Sequence, residues 1–301
     1  MSRRKILTAI LCMMPALAAA EMHVVILEGR GGEDRYTEQF AAQVASIEIA
    51  ASALTTKDRI HVFRNGDYSR QSVIDFFVSL EEQMLAGDRL AFYLIGHGSY
   101  DEHEYKFNIV GADLTDTDLA EMLAGLPASH QLIVNTSSSS GAIVDSLRRD
   151  DRTLILATRS GVERHATRFG SYFSAALSSD SADLDKNRIV TAEEAFRFAE
   201  RQVADYFERN GQLATEHPRI DGGQAPRFGL ARLGGQAPAQ SDAELRRLVA
   251  SRDDLNSEIE ELRLRRESMT ANAYQAELLD KMLRLATVED RIEQREREIV
   301  E

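Results

Sequence analysis

The chain has 301 residues, of which 49 are acidic and 36 are basic, so its formal net charge is −13. Such acidity argues against nucleic acid and anionic membrane surfaces as partners. The single cysteine, Cys12, lies in the apolar leader described next, so the rest of the chain has no thiol and cysteine catalysis is excluded.

The first 20 residues have the pattern of a secretory signal peptide. Three basic residues at positions 3–5 precede a short apolar run that ends in small residues, Ala18 and Ala20. The run is shorter than the ~20 residues needed to span a bilayer, and no later segment is more apolar. We therefore expect a periplasmic or secreted protein without a transmembrane segment after signal removal. It would begin near Glu21 and carry 33 basic against 49 acidic residues, a net charge of −16.

Short apolar runs alternate with helical patterns between residues 22 and 160. Runs rich in Val, Ile and Phe predict strands, and amphipathic stretches between them predict crossover helices. Near-continuous apolarity favours a largely parallel sheet that is covered on both faces. The predicted strands are 22–29, 59–64, 89–98, 131–136 and 153–160, and the predicted helices are 37–53, 69–85 and 115–126.

The rest of the chain changes character twice. Helical patterns over 169–179 and 192–211 complete an α/β domain that we assign to residues 21–210. Residues 211–240, with three of the five prolines, predict a surface tail and linker. Residues 241–301 repeat apolar side chains every seven residues, as at Leu248, Leu255 and Leu262. A break near residues 269–272 predicts an α-helical coiled-coil hairpin, or a pair of helices that forms a homodimer.

Two strand ends carry candidate catalytic groups. The run AFYLIGHG ends in His97-Gly98, where a histidine can act as a base and a glycine lets a backbone N–H approach an oxyanion. The next core strand runs into four serines and Gly141 before a helical stretch. A nucleophile at such a turn can use the helix N-terminus, although serine is also a preferred N-cap residue.

The order of these segments across residues 22 to about 210 resembles the caspase-like (clan CD) peptidases, most closely bacterial relatives of legumain. These have a strand ending His-Gly, a strand ending near Cys-x-Ser-Gly, and a further strand ending in Ala-Thr or Ala-Ser. The corresponding segments here are His97-Gly98, Ser138-Ser139-Ser140-Gly141 and Ala157-Thr158. The resemblance implies a three-layer caspase-like sandwich with serine at the family's cysteine position.

Site roles follow from that resemblance. His97 would be the catalytic histidine, Ser138 the nucleophile with Ser137 as its alternative, and the N–H groups of Gly98 and Ser138 the oxyanion hole. Residues at 159–160 would form part of the substrate-binding pocket, in which Arg159 would match an acidic side chain and Ser160 would lie beside it.

Serine is a far weaker acid than cysteine and needs an oriented base, so several functions remain open. We favour a pseudopeptidase that binds a peptide or protein partner. The alternatives are a serine endopeptidase using His97 and Ser138, with Asp101 or Glu104 orienting the ring, and a structural adaptor that acts through the C-terminal coiled coil.

An acidic segment, DLDKNRIVTAEE, has the ligand spacing of an EF-hand loop and is a candidate Ca²⁺ site. Arg188 stands where that loop prefers glycine, and T-x-x-E also matches a helix capping box, which is the alternative interpretation. The candidate ligands are Asp183, Asp185, Asn187, Ile189 through its carbonyl, Thr191 and Glu194.

Overall fold

The computed structural model describes residues 21–233 and 243–300. The predicted signal peptide and residues 234–242 of the predicted linker lie outside this range. In chain order the elements are β1 (Met22–Glu28), α1 (Asp34–Ser52), β2 (Ile60–Phe63), α2 (Arg70–Gln83), β3 (Arg89–Ile95), β4 (Gly98–Tyr100), β5 (Tyr105–Phe107), β6 (Leu114–Thr115), α3 (Asp116–Ala124), β7 (His130–Asn135), α4 (Val144–Leu147), β8 (Arg152–Leu156), α5 (Phe169–Ala176), β9 (Ile189–Thr191), α6 (Ala192–Arg209), β10 (Arg219–Asp221), β11 (Gly229–Arg232), α7 (Ala243–Leu264) and α8 (Ala271–Val300).

Six strands form the central sheet, in the order β10-β8-β7-β3-β1-β2. The five strands from β8 to β2 pair in parallel, and β10 joins the edge antiparallel to β8. These five are the predicted strands, and the inner ones are buried along nearly their whole length because helices cover both sides. The predicted α/β class with a mostly parallel sheet is confirmed.

Helices pack on both faces of this sheet. Helices α1, α5 and α6 bury side chains such as Phe40, Phe169 and Phe196 against one face. Helices α2, α3 and α4 bury Phe77, Leu123 and their neighbours against the other. The three layers are therefore helix, sheet and helix, as predicted, and the carboxyl ends of the parallel strands share one edge.

A second, antiparallel sheet of β4, β5 and β6 lies over that edge. Directly after β5, the Asn108 backbone carbonyl accepts a hydrogen bond from the Arg30 N–H (2.9 Å), and the Asn108 N–H donates to the His97 carbonyl (3.0 Å). A Cβ on Gly96 would lie 3.0 Å from the Phe107 ring, so only glycine permits this close approach. The small sheet therefore fixes the segment that follows His97.

The segment predicted as a tail and linker contains two strands, β10 and β11, within residues 211–233. Strand β10 extends the central sheet, and β11 pairs antiparallel with β9. Phe228, Leu230 and Ala231 are buried in the core. Short strands interrupted by glycine and proline lack the periodicity by which strands are predicted, which explains the difference from the sequence-based expectation.

The C-terminal region consists of the two predicted helices, α7 and α8, packed against each other. Leu245 and Leu248 of α7 and Ile292 of α8 form a small buried cluster. Met282, which the heptad pattern places at the contact, is instead 52% exposed. The coiled-coil assignment stays a prediction. Among the described residues, no helix is long and apolar enough to cross a membrane.

Candidate functional site

His97 lies in the connection between β3 and β4, at the carboxyl edge of the sheet. Its half-buried ring packs edge-on against the rings of Tyr36 (4.6 Å between centroids) and Phe40 (5.0 Å) of α1. Burial lowers the pKa of His97, and a backbone hydrogen bond with Gly31 and the charge of Glu33 oppose this shift. The ring is therefore largely uncharged near neutral pH.

The serine turn, residues 136–141, follows β7 and is almost wholly buried. The Ser137 hydroxyl lies 2.6 Å from the Tyr105 hydroxyl and donates to the Ser138 carbonyl at 3.1 Å. The Ser137 backbone N–H donates to the Asn135 side chain at 3.0 Å. The Ser137 hydroxyl is thus held in a buried network and faces no solvent.

Tyr105 is the centre of this network and was not predicted from the sequence. Its hydroxyl also accepts a hydrogen bond from the Asn135 amide at 2.9 Å. Burial raises the pKa of Tyr105 to about 12, with the hydrogen bonds to Ser137 and Asn135 opposing the shift. Its position in β5, 32 residues before Ser137, gives no local signal of the contact.

The His-Gly segment and the serine turn touch, as their positions at neighbouring strand ends predict. A Cβ placed on Gly98 would lie 2.5 Å from the Ser137 hydroxyl oxygen and 2.6 Å from the Ser138 carbonyl oxygen. The hydrogen bonds of the described residues include none between the His97 ring and a serine hydroxyl. The two segments are therefore close together, but among the described residues His97 makes no hydrogen bond that would activate a serine.

Two further serines of the turn have unusual surroundings. The Ser138 side chain is 4% exposed and makes no hydrogen bond within residues 21–233 and 243–300. Ser139 has a left-handed backbone (φ 56°), and its buried hydroxyl has no partner in the same part of the chain. Neither position resembles a solvated helix cap.

Residues 159–168, here called the covering loop, lie across the serine turn. The Ser139 backbone N–H donates to the Glu163 carbonyl at 2.8 Å, and the Thr167 hydroxyl donates to the Thr136 carbonyl at 2.5 Å. Arg159 is exposed and Ser160 is half-buried, so the structure leaves the Arg159 side chain open to solvent at the predicted substrate-binding position.

Glu163 ties the covering loop to the segment before β10. Its carboxylate accepts the backbone N–H groups of Arg159 (3.1 Å) and His217 (3.0 Å), and its Oε1 lies 2.8 Å from His217 Nδ1. No local sequence pattern signals this contact, because Glu163 and His217 lie 54 residues apart. The predicted orienting residue Asp101 instead pairs with Lys106 at 3.1 Å.

Glu216, next to His217, is buried at the start of α5. Its carboxylate accepts the backbone N–H groups of Arg168 (2.7 Å) and Phe169 (3.0 Å). Burial raises the pKa of Glu216 to about 7, although these N–H groups and the charge of Arg168 oppose the shift. An internal carboxylate thus occupies the helix terminus beside the covering loop.

The acidic loop, residues 183–194, brings three predicted ligands together. Carboxylate oxygens of Asp183, Asp185 and Glu194 lie within 4.8 Å of one another. Asp183 accepts the backbone N–H groups of Asn187 (3.1 Å) and Arg188 (2.9 Å). Because Arg188 adopts φ 66°, the backbone makes the turn for which the EF-hand pattern prefers glycine.

The same loop also contains the capping box that was the alternative interpretation. The Thr191 hydroxyl accepts the Glu194 backbone N–H at 3.3 Å, and the Glu194 carboxylate accepts the Thr191 N–H at 2.9 Å. Burial, together with the charges of Glu194 and Asp183, raises the pKa of Asp185 to about 6. The capping box is confirmed, and the loop concentrates negative charge that a cation would relieve.

The comparisons with known proteins concern the fold. No family model matches the chain, and no curated protein matches it. Among solved structures, it is similar to a protein from Geobacter sulfurreducens, with 13% identity, a TM-score of 0.47, and coverage of 71% of this chain and 97% of that one. It is also similar to caspase-1 from Spodoptera frugiperda, with 12% identity, a TM-score of 0.44, and coverage of 72% and 92%.

Proposed function

We propose that this chain is an exported caspase-like pseudopeptidase. It binds a peptide or protein partner at the edge of the central sheet where the parallel strands have their carboxyl ends. The observation that supports the loss of catalysis is the burial of both candidate nucleophiles: Ser138 is 4% exposed, and a 2.6 Å contact with Tyr105 holds the Ser137 hydroxyl away from solvent. Packing of the His97 ring against Tyr36 and Phe40 supports the same conclusion, because within the described residues the ring makes no hydrogen bond to a serine hydroxyl.

A fluorophosphonate probe tests the loss of catalysis. We expect no labelling of the folded wild-type chain, since the serine hydroxyls lack an activating base. Labelling that disappears in Ser137→Ala or Ser138→Ala, but persists in the exposed control Ser99→Ala, would overturn the proposal. That result would support the alternative of a serine endopeptidase, which the contact between Gly98 and the serine turn favours.

Arg159 supports an acidic partner. Its side chain is exposed at the edge of the covering loop, whose Gly161 packs against the Tyr100 ring. A peptide library with a fixed aspartate should bind better than the same library with asparagine. We expect Arg159→Ala to abolish that preference and the exposed control Arg197→Ala to retain it; equal binding of both libraries to the wild type would contradict an acidic specificity.

The N-terminal segment supports export with cleavage before Glu21. The backbone nitrogen of Glu21 lies 2.9 Å from the buried Asp88 carboxylate. Cleavage of the peptide bond before Glu21 would turn the Glu21 nitrogen into an ammonium group paired with Asp88. N-terminal sequencing of the chain recovered from a periplasmic or secreted fraction should begin at Glu21; an intact leader in a cytoplasmic fraction would contradict export.

We also propose that the acidic loop binds Ca²⁺. The convergence of three carboxylates at EF-hand spacing favours this second function. If the affinity lies in the ~10⁻⁴–10⁻³ M range of extracellular sites, millimolar Ca²⁺ should stabilise the chain by about 1–2 kcal/mol. The gain should shrink below pH 6, as Asp185 takes up a proton.

Thermal unfolding in chelator and in 5 mM CaCl₂ provides the test. The Ca²⁺-dependent rise in Tm should vanish in the double variant Asp183→Ala, Asp185→Ala. It should persist in a matched double variant at exposed acids outside the loop, Asp150→Ala with Asp205→Ala. An unchanged wild-type Tm would contradict the site.

A further inference from the structure

Asp88 is a buried carboxylate in the turn before β3, far along the strands from the serine turn. Its side chain is 3% exposed. Its Oδ2 accepts the Leu85 backbone N–H (2.9 Å), and its backbone carbonyl accepts the Ser129 N–H (2.7 Å). Burial acts to raise the pKa of Asp88, but hydrogen bonds from the backbone N–H groups of Leu85 and Glu21 help to lower it overall. Asp88 is therefore a buried negative charge at neutral pH.

No charged side chain of the described residues neutralises Asp88. Neither a lysine nor an arginine of this part of the chain forms an ion pair with it, and its neighbour is His23 Nε2 at 3.5 Å. Burial and the charge of Arg59 lower the pKa of His23, although Asp88 opposes the shift, so the ring is largely uncharged near neutral pH. A buried charge without an opposite charge beside it destabilises a fold.

The backbone nitrogen of Glu21 is the group that faces Asp88. It lies 2.9 Å from Asp88 Oδ1. Two further contacts fix its position: the Glu21 carbonyl accepts the Arg89 N–H at 2.8 Å, and the Glu21 carboxylate pairs with Arg59 at 2.7 Å. All three partners follow Glu21 in the chain, so these contacts hold the nitrogen in place without the leader.

We propose that the ammonium group released by cleavage before Glu21 is the counter-charge of Asp88, and that leader removal thereby stabilises the mature fold. The inference rests on the proposed export with cleavage at that bond, and it adds a step of regulation by processing. In this hydrolysis the water oxygen goes to the carboxylate of Ala20, and both protons of the water go to the Glu21 nitrogen. A neutral N–H group becomes a positive charge at the same place.

The pair would connect the amino ends of three central strands. The ammonium group belongs to the start of β1, and Asp88 precedes β3 and is bonded to Ser129, which precedes β7. Opposite charges in contact attract more strongly in a buried site than in water. The chain that still carries its leader lacks this attraction, so it is less stable than the mature chain.

Two versions of the chain that differ by one residue test the counter-charge. One begins at Glu21, and the other keeps Ala20 in front of it. Both have an N–H donor at the Glu21 nitrogen, but in the second the ammonium group lies one residue further out, about 3.8 Å away along the chain. In urea unfolding, we expect the chain that begins at Glu21 to have an unfolding equilibrium constant at least about tenfold smaller. Equal stability would overturn the inference.

Substitution of Asp88 tests the partner. Asp88→Asn should remove the difference between the two versions, whereas Asp150→Asn, which removes the same charge at an exposed position, should preserve it. NMR titration of the unsubstituted chains is a second readout that does not require Asp88→Asn to fold. The Asp88 carboxyl group should titrate at a lower pH in the chain that begins at Glu21, since the ammonium group favours its charged form. Identical titration in both versions would contradict the pairing.

The cleavage itself is tested separately, by N-terminal sequencing of the exported chain. A chain that begins at Glu21 but is no more stable than the version with Ala20 leaves the export proposal intact and overturns the counter-charge. A chain that begins at another residue contradicts cleavage before Glu21, and with it the proposed step of regulation, whatever the stability of the two purified versions.

Discussion

Glu216 is a carboxylate whose burial makes it sensitive to pH. Its pKa is raised to about 7, above the ordinary value of 4.5, so the folded chain holds this proton across a range in which the unfolded chain has lost it. Its contribution to the unfolding free energy therefore falls as the pH rises from about 4.5 to about 7. The charged carboxylate destabilises the folded state, although it accepts hydrogen bonds from two backbone N–H groups.

Replacing Glu216 by glutamine should remove this pH dependence. We expect the wild type to lose roughly 1–3 kcal/mol between pH 5 and pH 8 through this group, and Glu216→Gln to lack that loss. The variant should be less stable than the wild type at pH 5, because its amide nitrogen cannot accept the second backbone N–H. Urea unfolding at both pH values measures the change, and the exposed control Glu208→Gln should follow the wild type. A Glu216→Gln variant with the same fall between pH 5 and pH 8 as the wild type would contradict the argument.

Arg152 is a buried cation whose hydrogen-bond partners are all neutral. Its guanidinium donates to Gln131 Oε1 (2.8 Å) and to the carbonyls of Leu147 (2.7 Å) and Leu123 (3.3 Å). Burial lowers its pKa to about 10. Because these acceptors join β7 to the ends of α3 and α4, Arg152 serves as an internal brace at the edge opposite the serine turn.

Removing the Arg152 side chain should leave several buried acceptors unsatisfied. We expect Arg152→Ala to lower the unfolding free energy by about 2–4 kcal/mol. Denaturant unfolding measures this loss, and the exposed control Arg149→Ala should lower the unfolding free energy by less than about 0.5 kcal/mol. Equal effects of the two substitutions would contradict the brace.

At the scale of elements, β11 links the acidic loop to the core. It pairs with β9 inside that loop, while Phe228 and Leu230 on either side of its first residue are 2% exposed. The loop's geometry thus depends on a strand that comes much later in the chain, since Gly229 lies opposite Thr191 and Arg232 lies opposite Ile189. Stability of the loop and stability of the core are coupled through this strand.

Truncating the Phe228 side chain should destabilise both the acidic loop and the core. We expect Phe228→Ala to cost about 3–5 kcal/mol, as for other buried phenylalanines, and to weaken Ca²⁺-dependent stabilisation along with it. Thermal unfolding with and without Ca²⁺ measures both effects. Leu213→Ala, at a position that is 90% exposed, is the control and should change neither. Normal stability of the Phe228→Ala chain would show that β11 is peripheral.

At the scale of the whole molecule, the centre of the sheet should be the most stable region. Strands β1, β3, β7 and β8 have hydrogen-bonded neighbours on both sides, whereas β2 is a half-buried edge. Native-state hydrogen exchange should therefore be slowest in the four inner strands, and faster in β2 and α8. Protection of β2 equal to that of β3 would contradict this ranking.

The sequence was informative where one segment contained the whole signal. Continuous apolar runs predicted the five parallel strands, and the ends of β3 and β7 placed His97 beside the serine turn. Contacts between distant segments were not predictable: Tyr105 reaches Ser137, and Glu163 reaches His217, without any local pattern. For the same reason β10 and β11, whose few residues pair far along the chain, were expected to form an irregular tail.

The late position of β10 has a consequence for the growing chain. Leu154, Ile155 and Leu156 of β8 pair with β10 on their outer side, and β10 begins only at Arg219. Until that residue is available, a chain with an otherwise complete sheet presents β8 as an open apolar edge. Fragments that end before Arg219 should self-assemble through β8, whereas fragments that include Asp221 should stay dispersed.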